Sequence, residues 1–257
     1  MEMPSLFLAH GSPMLAVEQT EYANFLKEYG EKLGKPKAIV IFTAHWEAPA
    51  TTISTTDDVY DTIYDFYGFP DELYRVKYPA RGSRIVADLV AERLAAEGLP
   101  AVRDEKRGLD HGSWTLLCRM YPDADVPVVQ ASVNPHLPAG RQMTIGKALR
   151  GLGKEGVLVI GSGVTVHNLR AVMWGARTAE PWAAAFDDWL IERARSHRID
   201  ELCNYEALAP HARMAVPRAE HFVPFFIAYG AGDPNRTPEV IHRSYAYGTL
   251  SYLSMRF

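Results

Sequence analysis

The chain has 257 residues, of which 47% are hydrophobic and 23% are charged, and its formal net charge is −4. This length fits one large domain with a sizeable core, because domains usually run to about 100–200 residues. The slightly acidic balance provides no basic surface for nucleic acid or for an anionic membrane. We therefore expect a globular protein without nucleic-acid or membrane partners.

The cysteines and the N-terminus indicate a cellular compartment. Cys118 and Cys203 have no CxxC spacing, which argues against a disulfide framework or a thiolate zinc site. The N-terminus lacks a basic region ahead of an apolar stretch, and no apolar run approaches the ~18 residues of a membrane span. These features predict a cytoplasmic location.

Short apolar runs rich in β-branched residues alternate with longer segments of helical periodicity. The predicted strands are residues 5–9, 38–43, 51–55, 126–133 and 157–160, and the predicted helices lie within 83–98, 137–153 and 180–197. Continuous apolar strands between helices are typical of a sheet covered on both faces, which predicts the α/β class. Two alternating runs around residues 247–249 predict an antiparallel hairpin, so the central sheet is expected to be mixed.

Two of the segments carry further predictions. In the helix within 83–98, Ser83 is the expected cap, Gly98 the expected end, and Ile85 and Leu89 part of the apolar stripe. Residues 59–82, "VYDTIYDFYGFPDELYRVKYPARG", form a long aromatic segment punctuated by Gly and Pro. A loop of this length is usually functional or partly helical. Its aromatic residues either line the mouth of a pocket or form a satellite core.

Three histidines follow apolar strands. His10, His45 and His167 lie at or just beyond strand ends, beside small or turn-forming residues. In an α/β sheet, ligands bind beyond the carboxyl ends of the strands. A lone histidine at a strand end is more often structural, but three at corresponding ends favour one shared site.

Two further histidines lie at predicted helix starts. His111 follows Asp110, and His221 is expected in the first turn of a helix. Either one could complete a metal centre. The remaining histidines have no supporting partners in the sequence: His136, His197, His211 and His242.

Imidazoles in this number suit a metal centre. Neutral imidazole binds Zn(II), Fe(II), Cu(II) and Ni(II), and an open catalytic site uses three protein ligands. Four histidines would close a tetrahedral site. The sequence therefore favours one divalent ion on three histidines, with another histidine acting as acid or base.

Six motifs occur in order along the chain: "HGSPM" from His10, "TAHW" through His45, "DFYGFPDELYRVKYPARG" from Asp65, "DHGSW" through His111, "VHNL" at His167 and "EHFVPFF" through His221. Together they resemble the class III extradiol ring-cleaving dioxygenases, and most of all the LigB-like family with its 4,5-DOPA dioxygenase-like branch. Each motif alone is weak, but six in order over residues 10 to 226 are specific.

The resemblance implies a site and an activity. It implies one Zn(II) or Fe(II) ion bound by His10, His45 and His221, with His167 as acid–base group or further ligand and His111 in the substrate pocket. It also implies one catalytic domain over residues 1–257, with helices on both faces of a mixed sheet. The implied reaction opens a small aromatic diol, a DOPA-like catechol, beside its two hydroxyls with O₂, giving a muconic semialdehyde.

Some residues depart from the family pattern. Tyr64 stands where the family commonly has histidine before Asp-Phe, and Val164 follows Ser162-Gly163 where the family often has asparagine. Glu220, beside His221, leaves open whether a carboxylate contributes to the centre. The alternative functions are a zinc-dependent hydrolase and a non-catalytic metal-binding protein on the same fold, because fold does not imply function.

Overall fold

The computed structural model describes residues 2–176 and 178–257. Its strands are β1 (Ser5–Ala9), β2 (Ala38–Glu47), β3 (Thr52–Ser54), β4 (Val102–Asp104), β5 (Val128–Val133), β6 (Val157–Gly163), β7 (Glu239–His242), β8 (Tyr245–Ala246), β9 (Leu250–Ser251) and β10 (Ser254–Arg256). Its α-helices are α1 (Glu21–Leu33), α2 (Arg84–Ala96), α3 (His111–Met120), α4 (Ala139–Ala148), α5 (Pro181–Arg195), α6 (Ile199–Cys203), α7 (Tyr205–Leu208), α8 (Ala212–Ala215) and α9 (Val223–Ala231).

Eight of these strands form one mixed sheet in the order β4-β3-β5-β2-β6-β1-β10-β7. The central strands β5, β2, β6 and β1 are parallel. Strand β10 pairs antiparallel with β1, and β3 pairs antiparallel with β5. The carboxyl ends of β2, β6 and β1 therefore meet at one edge of the sheet.

Helices cover both faces of this sheet. Leu6 and Leu8 of β1 belong to the core that contains buried residues of α1 and α3, whereas Phe7 between them packs with residues of α5 and α9. This alternation follows from the two-residue period of a strand. The predicted α/β fold, with a mixed sheet between helical layers, is confirmed.

The predicted strands all occur, and two are longer than expected. Strand β2 continues to Glu47 and β6 to Gly163, because both stay paired with their neighbours beyond the apolar run. The C-terminal hairpin is confirmed as β8 and β9, which turn through Tyr247 and Gly248 at φ values of 51° and 74°.

The helix within residues 83–98 is confirmed, but part of its predicted stripe is wrong. The hydroxyl of Ser83 accepts a hydrogen bond from Val86 N and caps α2. Ile85, however, is 83% exposed. The buried stripe consists of Ala87, Val90 and Leu94, and Ile85 lies on the opposite face because residues two positions apart in a helix, such as Ile85 and Ala87, are about 200° apart.

The aromatic segment 59–82 both contributes to a core and lines a pocket, which were the two alternatives left open by its sequence. Tyr60 and Tyr78 are buried in the core beside α3, which is the satellite-core alternative. Phe66 and Phe69 instead line the largest cavity described below. Within the described residues, no helix is both long and apolar enough to cross a membrane.

Helix α9 packs so closely on β6 that a larger residue at Gly161 is expected to destabilise the protein. A Cβ on Gly161 would lie 2.2 Å from the backbone oxygen of Pro224. We expect Gly161→Ala to lower the free energy of unfolding by about 1–3 kcal/mol, because α9 must move away from the sheet. Urea denaturation measures this change.

The matched control is Gly140→Ala in the first turn of α4, where the nearest atom would be 3.7 Å away. Alanine there is expected to be neutral or stabilising by up to about 1 kcal/mol. Equal effects of the two substitutions would contradict close packing at Gly161.

Candidate metal centre

The parallel strands bring three of the predicted histidines to one edge of the sheet. His10 directly follows β1, and His45 lies near the end of β2. His167 lies four residues beyond the last residue of β6, which runs between those two strands. Because all three strands point the same way, their histidines emerge together.

The other two predicted histidines come from helix starts. His111 is the first residue of α3. His221 was expected in the first turn of a helix, but it lies in the turn two residues before α9 begins at Val223. Its carbonyl accepts a hydrogen bond of 2.8 Å from Val164 N, which fixes this turn against the chain leaving β6.

His10, His45 and His221 form a group whose candidate ligand nitrogens all lie within 4.8 Å of one another. The Nε2 atoms of His10 and His45 are 3.0 Å apart. The ring of His221 lies 5.1 Å from that of His10 and 5.0 Å from that of His45, between centroids. Three imidazoles from distant parts of the chain thus converge on one small volume.

Ser162 determines the tautomer of His10. The Ser162 hydroxyl donates its single proton to the carbonyl of Gly112, so toward His10 it acts only as an acceptor. The Nδ1 atom of His10 lies 3.0 Å from that hydroxyl and therefore carries the proton. The lone pair of Nε2 is left facing the other histidines.

Carboxylates hold the Nδ1 atoms of the other two rings. Nδ1 of His221 is 3.0 Å from Oε1 of Glu220, and Nδ1 of His45 is 3.3 Å from Oδ2 of Asp65. A carboxylate beside Nδ1 favours the tautomer with the proton there and leaves Nε2 free to bind a metal. Glu220 therefore lies on the Nδ1 side of His221, where it orients the ring.

This arrangement fits a divalent cation. The Nε2 atoms of His10 and His45 are 3.0 Å apart, and with both rings protonated on Nδ1 their two lone pairs face and repel each other. Two nitrogens that each bind one ion at about 2.1 Å lie about 3.0 Å apart at a bond angle of 90° and about 3.4 Å apart at the tetrahedral angle. A bound cation removes the repulsion and uses the observed spacing.

Burial keeps three of the imidazoles, those of His10, His45 and His167, neutral. Desolvation, together with the neighbouring histidines, lowers the pKa of His10 well below its usual value. The same two causes lower the pKa of His45 to about 2, and burial followed by His221 lowers that of His167 to about 3. Neutral imidazole is the form that binds metals and accepts protons.

His167 and His111 flank the group of three. The ring of His167 stacks on that of His221, with centroids 3.7 Å apart and planes at 12°. His111 lies on the other side, with its centroid 3.8 Å from that of His45. Neither belongs to the group of three defined above. Both rings face the same cavity.

Asp65 connects two of these histidines. Its Oδ1 accepts a hydrogen bond from His111 N and lies 2.9 Å from His111 Nδ1, while its Oδ2 faces His45. Burial alone would raise the pKa of Asp65, but the two histidines outweigh burial and lower it to about 2. Asp65 is therefore ionised and lies between the two rings.

A buried polar network supports the start of α3. Asp110 is fully buried, and its carboxylate accepts hydrogen bonds from the hydroxyl of Thr43 at 2.7 Å and from Arg107 at 3.2 Å. Arg107 also donates to the carbonyl of His45. These bonds fix His111 relative to β2.

Sequence reasoning missed Ser162 and the bridging role of Asp65. The only signal for Ser162 was a polar residue between two glycines at the end of an apolar strand. The histidines considered to lie outside the site, His136, His197, His211 and His242, belong to none of the candidate metal groups found among the described residues.

The five histidines line one end of a cavity of about 710 Å³. This volume lies within the usual range for small-molecule sites. Most of the remaining lining is apolar or aromatic, and includes Phe66, Phe69, Trp174 and Leu250. The fold and the site together define an α/β protein with a histidine cluster that could hold a metal ion at the wall of a substrate-sized cavity.

Comparisons with known proteins identify the family. Residues 4–257 match the LigB family, described as the catalytic LigB subunit of aromatic ring-opening dioxygenase. The chain belongs to this family. The sequence-based prediction of a LigB-like extradiol dioxygenase is confirmed at the level of the family.

Individual relatives cover nearly the whole chain. A 4,5-DOPA dioxygenase extradiol of Beta vulgaris is 42% identical over 98% of this chain and 96% of its own length. A protein of the same name from Escherichia coli K12 is 36% identical over 99% of this chain and 94% of its own. The crystal structure of an uncharacterized protein from Escherichia coli K12 has a TM-score of 0.84 at 33% identity and covers 99% of both chains.

The low pKa of His167 predicts a pH-dependent contribution to stability. The folded-state pKa is about 3, below an unfolded value of about 6.5, so the unfolded chain binds more protons in between. This contribution is fully present above pH 6.5 and is lost as the pH falls from there toward 3. In metal-free protein, wild type should lose on the order of 1 kcal/mol more than His167→Gln between pH 7.0 and 5.5.

Urea denaturation of both metal-free proteins at the two pH values measures this difference. The comparison with His167→Gln cancels the contributions of carboxylates and of other histidines to first order. If the two proteins lose the same stability, His167 is not held neutral by the fold.

Proposed function

We propose that this protein is an extradiol dioxygenase that opens a catechol ring beside its two hydroxyls, with residues 1–257 forming one catalytic domain. The main observation in support is that three histidine side chains converge on the wall of a cavity that also contains two further histidines. Membership of the LigB family supports the same reaction class. The free thiols of Cys118 and Cys203 agree with a location in the reducing cytoplasm.

The metal ligands in this proposal are His10, His45 and His221. Fe(II) is the proposed ion, because a bound Fe(II) would supply the redox centre that joins catechol and O₂, whereas Zn(II) has no accessible redox change. Three protein ligands leave room for the diol and for O₂. Ser162, Glu220 and Asp65 act on the ion through the rings that they orient.

His167 is the proposed proton acceptor. Its imidazole is neutral at physiological pH, because burial and His221 lower its pKa to about 3. A neutral imidazole facing the cavity can take a phenolic proton as the diol binds and return it as the ring opens. His111, held beside Asp65 at 2.9 Å, is the second acid–base candidate, and it contacts the substrate from the opposite side.

The reaction needs no further reductant. Both oxygen atoms of O₂ enter the product, the bond between a hydroxyl-bearing carbon and the adjacent ring carbon breaks, and a muconic semialdehyde forms. The chain's own contribution is to orient the diol, to hold the moving proton on an imidazole and to exclude water with the aromatic wall of Phe66 and Phe69.

A zinc-dependent hydrolase is the second candidate function. It is favoured by the absence of a carboxylate from the group of three, His10, His45 and His221, as the described residues define it. In that case a metal-bound water would be the nucleophile.

Protein loaded anaerobically with Fe(II), then given a panel of catechols and O₂, should develop the yellow absorbance of a semialdehyde. If the Fe(II)-loaded protein opens no catechol and the Zn(II)-loaded protein hydrolyses esters, the hydrolase is favoured.

Metal binding tests the proposed ligands. His10→Ala and His45→Ala should each reduce bound metal from about one ion per chain to less than about a tenth, because two imidazoles hold a divalent ion much more weakly than three. Metal analysis after dialysis measures the stoichiometry. His136→Ala, which removes an exposed histidine outside the site, is the matched control and should keep its ion. Stoichiometric metal on His45→Ala would refute the ligand assignment.

Turnover tests the acid–base assignment separately. His167→Gln should retain the metal and lower kcat by about 10²–10⁴, because it removes a positioned proton acceptor. His111→Gln should also retain the metal and lower turnover. Steady-state rates with Fe(II) and a catechol, measured beside His136→Gln, give the comparison. If His167→Gln has wild-type kcat, His167 does not carry the proton.

A further inference from the structure

Large exposed apolar side chains gather at the mouth of the cavity. Leu169 is 66% exposed, Trp174 is 79% exposed and Tyr247 is 41% exposed, and all three line the cavity that contains the histidines. Exposed apolar residues scattered singly over a surface need no explanation, but a contiguous apolar group at a binding site does. Val172 and Leu250 complete this group, which we call the apolar rim.

The apolar rim is a built structure with two sides. Leu169, Val172 and Trp174 come from the segment that follows His167, and Tyr247 and Leu250 come from the β8–β9 hairpin. The rings of Trp174 and Tyr247 are 4.6 Å apart between centroids.

Backbone hydrogen bonds join the two sides of the rim. Met173 N donates to Tyr247 O at 3.1 Å, and Glu180 N donates to Gly248 O at 2.7 Å. The hairpin is held in turn by the buried carboxylate of Asp187, which accepts hydrogen bonds from Ser251 at 2.6 Å and from Tyr245 at 2.7 Å. The rim therefore keeps a fixed position relative to the histidines.

The apolar side chains of the rim bear on which substituents the ring of a catechol substrate can carry. When the diol binds at the histidines, a substituent on the ring must run along the cavity past these side chains. Burying a charge against apolar side chains without a partner is costly. Among the described residues that line the cavity, none is Lys, Arg, Asp or Glu, so a charged substituent finds no ionic partner there.

We propose that the preferred substrates are catechols with an uncharged, apolar substituent, and that Leu169 and Trp174 determine this specificity. The inference rests on the proposed catechol dioxygenase function. On this proposal DOPA, whose side chain carries charged amino and carboxylate groups, is a poorer substrate than a catechol with an apolar substituent. Each methylene buried against the rim is expected to raise kcat/KM by about fourfold.

The test uses three ligands of graded chemistry. They are catechol, 4-propylcatechol and 3-(3,4-dihydroxyphenyl)propanoate, whose side chain is of similar length but ends in a carboxylate, with DOPA added for comparison. Turnover is measured with the Fe(II)-loaded protein. Binding is measured by calorimetry with the Zn(II)-loaded protein, so that affinity is known independently of any reaction.

Wild type should prefer 4-propylcatechol to the propanoate by at least about tenfold, both in affinity and in kcat/KM. In Leu169→Ala and Trp174→Ala, the kcat/KM for 4-propylcatechol divided by the kcat/KM for catechol should fall toward one. Ile85→Ala, which removes an exposed apolar side chain of α2 far from the cavity, is the matched control and should leave the ratio unchanged. The ratio is taken within each variant, which corrects for any general loss of activity.

The outcomes separate the two proposals. If the propanoate or DOPA binds as well as 4-propylcatechol, or if the ratio survives in both rim variants, the specificity proposal is overturned. Turnover of DOPA in that case would leave the dioxygenase function standing. If 4-propylcatechol binds preferentially through the rim but no catechol is opened with Fe(II), the rim assignment is supported and the dioxygenase function fails.

Discussion

The site depends on a repulsion that one cation relieves. Two imidazole Nε2 atoms, from His10 and His45, face each other at 3.0 Å. Their protons are held on the opposite nitrogens by the Ser162 hydroxyl and by the Asp65 carboxylate. In these tautomers the two lone pairs repel each other, and a divalent cation between them makes the arrangement favourable. The surrounding contacts serve to maintain this geometry.

The parallel strands of the sheet bring together site residues that are far apart in the sequence. His10 and His45 are 35 residues apart, yet β1 and β2 both pair with β6 and carry their histidines to the same edge. Gly163 and Gly161 in β6 allow the turn containing His221 and the start of α9 to approach the sheet, where any Cβ would lie within about 2.2 Å of a backbone oxygen. The third ligand candidate is therefore positioned by glycines in a strand that contributes none of the three.

The sequence was sufficient for the predicted strands, the sheet class and the five histidines, because each of these is encoded locally, whereas the three-residue strand β4 was not predicted. An apolar run followed by a histidine predicts both the strand and the emergence of the side chain. The polar groups that contact the histidines could not be predicted from the sequence, since Ser162 contacts His10 across 152 residues and Asp65 contacts His111 across 46. The exposure of Ile85 was also missed, because α2 has apolar residues on more than one face and periodicity alone does not show which face packs on the sheet.

A crystal structure of the metal-loaded protein, with the ion identified by its anomalous scattering, tests the central claim most directly. The account predicts one ion bound by the Nε2 atoms of His10, His45 and His221, with Glu220 and Ser162 still on the opposite nitrogens. An ion bound instead between Asp65 and His111, or one bound by Glu220 itself, would contradict it.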